Sequence, residues 1–205
     1  MLESVYSKTM ISAIIFDCFG VLVGSGFWDL YTSAGGNIKK DKRFIDDLLT
    51  KANSGQMTQA KFHDAICDKL NISLYSWREI VAKQEQPNKK LLKYIQKSLK
   101  PNFKIGLLSN ANNGVVQRKL GDWLNVFDEV LVSAEVGLLK PDRRIFELAC
   151  ERIGSEPSKT IMIDDQLGYC LAATKLGMKY ILYENFDQFK SDLNMSLYLS
   201  DSNRD

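Results

Sequence analysis

The chain reads as an α/β protein built on a doubly wound parallel sheet with a helical insertion, and three observations predict this. Short apolar runs recur at Ala13-Ile-Ile-Phe16, Ile105-Gly-Leu-Leu108, Val130-Leu-Val132 and Thr160-Ile-Met-Ile163. They have the length and the continuous apolarity of buried parallel strands. Beyond each run stands a polar group: Asp17, Ser109, Lys140 and the pair Asp164-Asp165. Between the first run and the second, the periodicity is helical throughout. Open parallel sheets hold their ligand sites just outside the carboxyl ends of the strands, so the five polar residues are expected to converge on one pocket.

The first strand is predicted at about Ser12 to Asp17, stopping in the turn Cys18-Phe19-Gly20. From about Ser25 to Lys100 no convincing buried strand is found. Phe44, Leu48 and Leu49, then Phe62, Ile66 and Leu70, recur at spacings of three and four, which line one helix face. Asn53-Ser-Gly55 and Asn71-Ile-Ser73 mark helix ends, and Thr58 is a helix cap with Phe62 opening the buried face. Pro87-Asn88 precedes a basic amphipathic helix, Lys89 to Leu99, whose Leu91, Leu92 and Ile95 need an apolar partner. Strand and helix then alternate from Phe103 to Tyr183. This predicts a helical insertion between the first strand and the rest of the sheet. The tail from Asn194 is expected to be loosely held.

Bulk properties agree with this architecture. With 205 residues, 45% apolar and 25% charged, the chain holds one sizeable core plus a smaller unit, and its composition excludes a disordered chain. Net charge is only +2, and the lysine groups at Lys39-Lys40-Asp41-Lys42-Arg43 and Lys89-Lys90 are interleaved with acids or confined to one helix. Solvated helix faces explain them better than a nucleic-acid footprint. Cys18, Cys67, Cys150 and Cys170 lack the spacing of a zinc ribbon or a redox pair and read as buried thiols. Met1 to Met10 is polar and the apolar run after it has only a strand's length, so a soluble, cytoplasmic protein without a membrane span is expected.

The converging residues carry the chemistry. Asp17 is either a turn aspartate or a carboxylate placed to attack an electrophile or bind a metal. Ser109-Asn110 either caps the next helix or holds an anionic oxygen there. Lys140 opens a helix, where its charge opposes the macrodipole, so neutralising a bound anion explains it better than structure does. Asp164 and Asp165 repel each other unless a cation is present, and an all-oxygen ligand set suits magnesium.

Ile15-Phe-Asp-Cys-Phe-Gly-Val-Leu22, Leu108-Ser-Asn110, Gly137-Leu-Leu-Lys-Pro-Asp142, and Ile163-Asp-Asp165 with Ala172-Ala173 and Gly177-Met178 together resemble the four motifs of the haloacid dehalogenase-like (HAD) hydrolase superfamily, in order and spacing over nearly the whole chain. The resemblance implies a Rossmann-like core, residues 1–24 and 100–205, and a small helical cap, residues 25–99. It implies Asp17 as covalent nucleophile. In the phosphatase members Ser109 and Lys140, with Asn110, would hold the phosphoryl group of a small phosphorylated substrate. Mg2+ would be bound by Asp17, the backbone carbonyl of Phe19, Asp164 and Asp165, in a monomer or homodimer.

One position departs from the pattern. Phosphatases of this superfamily usually carry a second aspartate two residues after the nucleophile as general acid and base, and this chain has Phe19 there. Loss of such a group costs about 10²–10⁴-fold in rate. The dehalogenase members carry an aromatic residue at that position and need no metal, which makes a metal-independent 2-haloacid dehalogenase the main alternative. Against it stand the intact Asp164-Asp165 pair and the lack of a well-placed cap arginine, Arg43 being the nearest candidate. A catalytically impaired metal-binding, phosphate-binding or interaction protein is the third reading. His63, the only histidine, is expected on a solvent-facing helix position, and Phe27, Trp28 and Tyr31 read either as packing residues or, from their place at the hinge into the cap, as lining of the pocket entrance. The reading reached is a magnesium-dependent phosphatase.

Overall fold

A computed structural model describes residues 10–24, 26–112 and 114–201. Five parallel strands form one sheet in the order β3-β2-β1-β4-β5, with β1 at Ala13–Phe16, β2 at Lys104–Ser109, β3 at Glu129–Val132, β4 at Thr160–Asp164 and β5 at Lys179–Leu182. The chain runs outward from β1 to β3, then crosses back to lay β4 on the other side of β1. That reversal makes β1 the switch point of the sheet, where α/β folds open a crevice at the strand ends. Phe16 lies opposite Leu107 on one neighbour and Ile163 on the other. Asp17 follows one residue later, so it emerges between the ends of β2 and β4, close to Ser109 and Asp164.

Side-chain alternation along the strands builds two apolar layers. Ile14, Phe16, Ile105, Leu107, Ile161, Ile163 and Ile181 point to one face, covered by α5 (Lys89–Tyr94), α6 (Val115–Leu120) and α10 (Phe186–Asp201). Ala13, Ile15, Leu108, Leu131 and Met162 point to the other, covered by α8 (Arg143–Ile153) and α9 (Leu167–Thr174). A short α7 (Ser133–Val136) follows β3.

Four helices, α1 (Phe27–Ser33), α2 (Ile38–Asn53), α3 (Gln59–Leu70) and α4 (Leu74–Gln84), enclose an apolar cluster of their own around Leu30, Tyr31, Ile45, Leu48, Ile66 and Trp77. Their starts are set by side chains: Asn37, Thr58 and Ser73 accept hydrogen bonds from the backbone N–H of Lys40, Lys61 and Ser76. Asn71 ends α3 in the left-handed conformation. Two strands of chain join this unit to the sheet and pair with each other. Gly24 N donates to Gln86 O at 2.9 Å and Asn88 N to Leu22 O at 2.8 Å.

Two features differ from the sequence expectation. The basic helix from Lys89, which continues as a π-type turn over Ile95–Leu99, packs Leu91, Leu92, Ile95 and Leu99 onto the sheet and not onto the other inserted helices. An apolar stripe shows that a helix needs a partner without showing which layer supplies it. The chain from Asn194 continues α10 to Asp201, anchored by the buried Phe189 and Leu193. Among the described residues no helix is long and apolar enough to cross a membrane.

Candidate active site

Asp17 leaves β1 with its N–H donating to Ile163 O at 2.8 Å, which fixes the backbone as the strand ends. Its carboxylate is buried, and Lys140 Nζ donates to Asp17 Oδ1 at 2.7 Å and to Asp164 Oδ2 at 2.6 Å. The Lys140 side chain is itself 0% exposed, so this ammonium exists only by virtue of its two carboxylates. Burial alone would depress it; Asp164 and Asp17 outweigh burial and hold it above its ordinary value. Burial is also the main influence on Asp17 and pushes its carboxyl up to about 7, with Lys140 opposing and Asp164 and Asp165 adding.

Lys140 is held from behind. The Asn110 side chain clamps its backbone at two points, Nδ2 to Lys140 O at 2.9 Å and Lys140 N to Oδ1 at 2.8 Å. The Tyr169 ring lies 5.0 Å from the ammonium, at cation–π distance. Lys140 precedes α8, whose cap is Asp142, accepting from Arg144 N at 2.9 Å. Ser109 ends β2 opposite Val132 and is buried. The next helix is capped by Gly114, so capping does not account for Ser109.

Asp164 is fully buried and accepts Gln166 N at 2.9 Å on the oxygen that Lys140 leaves free. Asp165 is different: its Oδ1 is buried with no hydrogen-bond partner. Burial, then Asp164, push this carboxyl up to about 6. Room for it depends on Gly20, at φ +90°, where a Cβ would fall 2.2 Å from Asp165 Oδ2. Asp17, Asp164 and Asp165 each offer an oxygen within 4.8 Å of the others. Three carboxylates around one ammonium leave excess negative charge, and an orphaned carboxylate oxygen lies among them. The donor set fits a hard divalent cation such as Mg2+.

Above this centre lies a cavity of about 870 Å³, walled on one side by the strand ends and on the other by α1 to α4. Phe19 lines it beside Asp17, with its ring packed against the sheet's apolar layer. Phe27 and Trp28 line it as expected, whereas Tyr31 is buried and donates to Asp41 Oδ2 at 2.9 Å. His63 is half-buried against the cavity, its ring 6.2 Å from that of Trp77, in place of the expected solvent-facing position. Arg43 is exposed on α2 and does not line the cavity. Cys18 is buried in the sheet's apolar layer.

Sequence reasoning missed Gln59, Glu85, Arg118 and Lys119, all of which line the cavity. Lys119 Nζ pairs with Glu85 Oε2 at 2.7 Å, and Arg118 donates to Gln59 Oε1. The only signal was the Arg-Lys step one helix after Ser109-Asn110. Its direction depends on how α3 sits across from α6.

Residues 11–177 match the family model described as haloacid dehalogenase-like hydrolase. Glyceraldehyde 3-phosphate phosphatase of Methanothermobacter thermautotrophicus is 35% identical over 86 residues, 39% of this chain and 37% of that one. The (S)-2-haloacid dehalogenase 1 of Pseudomonas sp. is 30% identical over 63 residues, 30% of this chain and 28% of that one. The chain therefore matches only part of the length of these curated relatives. Among solved structures, the HAD family enzyme BT-2542 of Bacteroides thetaiotaomicron, in complex with magnesium and inorganic phosphate, aligns with TM-score 0.66 and 21% identity over 87% of this chain and 98% of that one.

Proposed function

Because the chain belongs to the haloacid dehalogenase-like hydrolase family, we propose that it is a magnesium-dependent phosphohydrolase working through an aspartyl-phosphate at Asp17. The observation that carries this reading is the carboxylate trio with its orphaned Asp165 oxygen. A metal-free site would have no use for that charge, and a carboxylate substrate would meet it as repulsion. The phosphatase relative and the neighbour solved with magnesium and phosphate lend support.

In this reading Lys140 holds Asp17 Oδ1 and leaves Oδ2 free to attack phosphorus. The bond to the leaving oxygen breaks as the Asp17–phosphoryl bond forms. Water then attacks phosphorus and returns the Asp17 carboxylate with release of inorganic phosphate. Lys140, Ser109 and the backbone beside it hold the phosphoryl oxygens, while Asn110 positions Lys140 through its backbone. Asp17, Asp164, Asp165 and the Phe19 carbonyl would hold magnesium, which would supply neutralisation of the negative charge gathered at the site. Phe19 offers no proton to the leaving oxygen, so substrates with good leaving groups are favoured. Helices α1 to α4 act as the cap, and the chain from Pro87 onward belongs to the core.

A second reading, a metal-independent dehalogenase, is favoured by Phe19 and by the 2-haloacid dehalogenase relative. One panel separates the two. Phosphoesters and 2-haloacids are offered with magnesium and with chelator; phosphate release lost with chelator supports the proposal. Chelator-insensitive halide release from the 2-haloacids, with no phosphate release, would replace it.

A further inference from the structure

The cavity lining includes polar side chains that the chemistry at Asp17 does not use. Gln59 and His63 of α3 face the cavity from the helical unit, and Arg118 and Lys119 of α6 from the sheet side. The lining lysines are neutralised: Lys42 pairs with Asp46 at 2.6 Å, Lys119 with Glu85 at 2.7 Å, and Lys140 with Asp17 and Asp164. Arg118 is not. Its guanidinium donates to the neutral amide oxygen of Gln59, and among the described residues no carboxylate pairs with it.

A guanidinium is a planar fork of donors suited to two oxygens of one anion, and the Gln59 oxygen occupies only one position. Beside it, burial lowers the proton affinity of His63, and the charges of Arg78, Arg118 and Lys119 act in the same direction against Asp64. The ring is therefore neutral near pH 7 and offers one N–H donor and one acceptor without adding charge. Because the Arg118–Gln59 contact spans α6 and α3, an anion bound there touches both walls of the cavity.

We propose that Arg118, flanked by Gln59 and His63, is a subsite for a second anionic group of the substrate, so that the preferred ligand is a phosphomonoester carrying a distal carboxylate or phosphate. This rests on the phosphohydrolase reading above for the group placed at Asp17. Arg118 selects the substrate and takes no part in bond breaking.

The test uses esters matched in leaving group and differing only in distal charge: 4-(carboxymethyl)phenyl phosphate, its phosphonomethyl counterpart and its neutral carbamoylmethyl counterpart, each with magnesium. The wild-type protein is expected to favour one charged ester over the neutral one by about threefold in KM, as for an ion pair at an exposed guanidinium. Arg118→Gln should bring that ratio close to one, with Arg118→Lys restoring part of it. The charged arm that wins identifies the oxyanion. Equal KM values in the wild type, or a preference that survives Arg118→Gln, would overturn the subsite. If no ester is turned over, the phosphohydrolase reading fails, and calorimetry with the non-hydrolysable 4-(carboxymethyl)benzylphosphonate, its phosphonomethyl counterpart and its amide decides the subsite separately. Tighter binding of either charged compound by the wild type supports it, and equal binding of all three overturns it.

Discussion

Asp17 and Phe19 sit two residues apart in one turn and set opposite limits on the chemistry. The first offers a buried carboxylate with one oxygen held by Lys140. The second lines the same cavity with a ring that can neither give nor take a proton. Replacing Phe19→Asp is expected to raise phosphoester turnover by up to about 10²-fold, most for esters with poor leaving groups, as judged by kcat across a leaving-group series. No gain on any ester would count against phosphoryl chemistry in this pocket. Asn110 acts at one remove, through its two hydrogen bonds to the Lys140 backbone. Asn110→Ala should lower kcat about tenfold with little change in KM, because it shifts Lys140 relative to the reacting atoms and removes no contact to a distal group. Asp17, Ser109 and the Asp164-Asp165 pair were legible because each closes an apolar run, whereas Lys140, in the loop between α7 and α8, was legible as a charge at a helix start where the macrodipole opposes it. Arg118, Glu85 and His63 were not, since they reach the cavity only through the way two helices face each other.

At the level of elements, the connection between the helical unit and the sheet is narrow and tightly packed. Gly24 donates to Gln86 O, and a Cβ on it would fall 2.4 Å from Gln84 O, a backbone atom that cannot swing aside. Gly24→Ala is expected to part the two connecting strands and cost about 1–3 kcal/mol in urea unfolding, with kcat/KM falling as the cavity walls lose their mutual position. Unchanged stability would mean that these strands move apart readily. Strands β1, β2 and β4 were legible as apolar runs, since a strand buried on both faces leaves little choice of residue. The insertion's end was not: Leu91, Leu92 and Ile95 form a clear stripe, and only the folded chain shows that it joins the apolar layer on the sheet.

Across the whole molecule, the site's charge is linked to stability. Asp17 is raised to about 7 and Asp165 to about 6 from an ordinary 3.8. Between about pH 4 and pH 7 the folded protein therefore holds protons that the unfolded chain has released, and stability falls as pH rises through that window. In the proposed mechanism magnesium would bind the ionised carboxylates and offset the loss. The midpoint of thermal unfolding without metal should drop from pH 5 to pH 8, and the rise produced by magnesium should be larger at pH 8; an equal rise at both would show that these acids are not the ligands. The parallel sheet in the order β3-β2-β1-β4-β5 makes this possible by bringing Asp17 and Asp164 to adjacent strand ends, with Lys140 reaching in between. In the proposed mechanism Asp17 takes up the phosphoryl group. Mass spectrometry of protein quenched in acid during turnover of an activated phosphoester with magnesium tests it most directly. One phosphoryl adduct is expected on the peptide containing Asp17, absent with chelator and absent in Asp17→Asn. Phosphate release that persists in Asp17→Asn, or an adduct on any other residue, would contradict it.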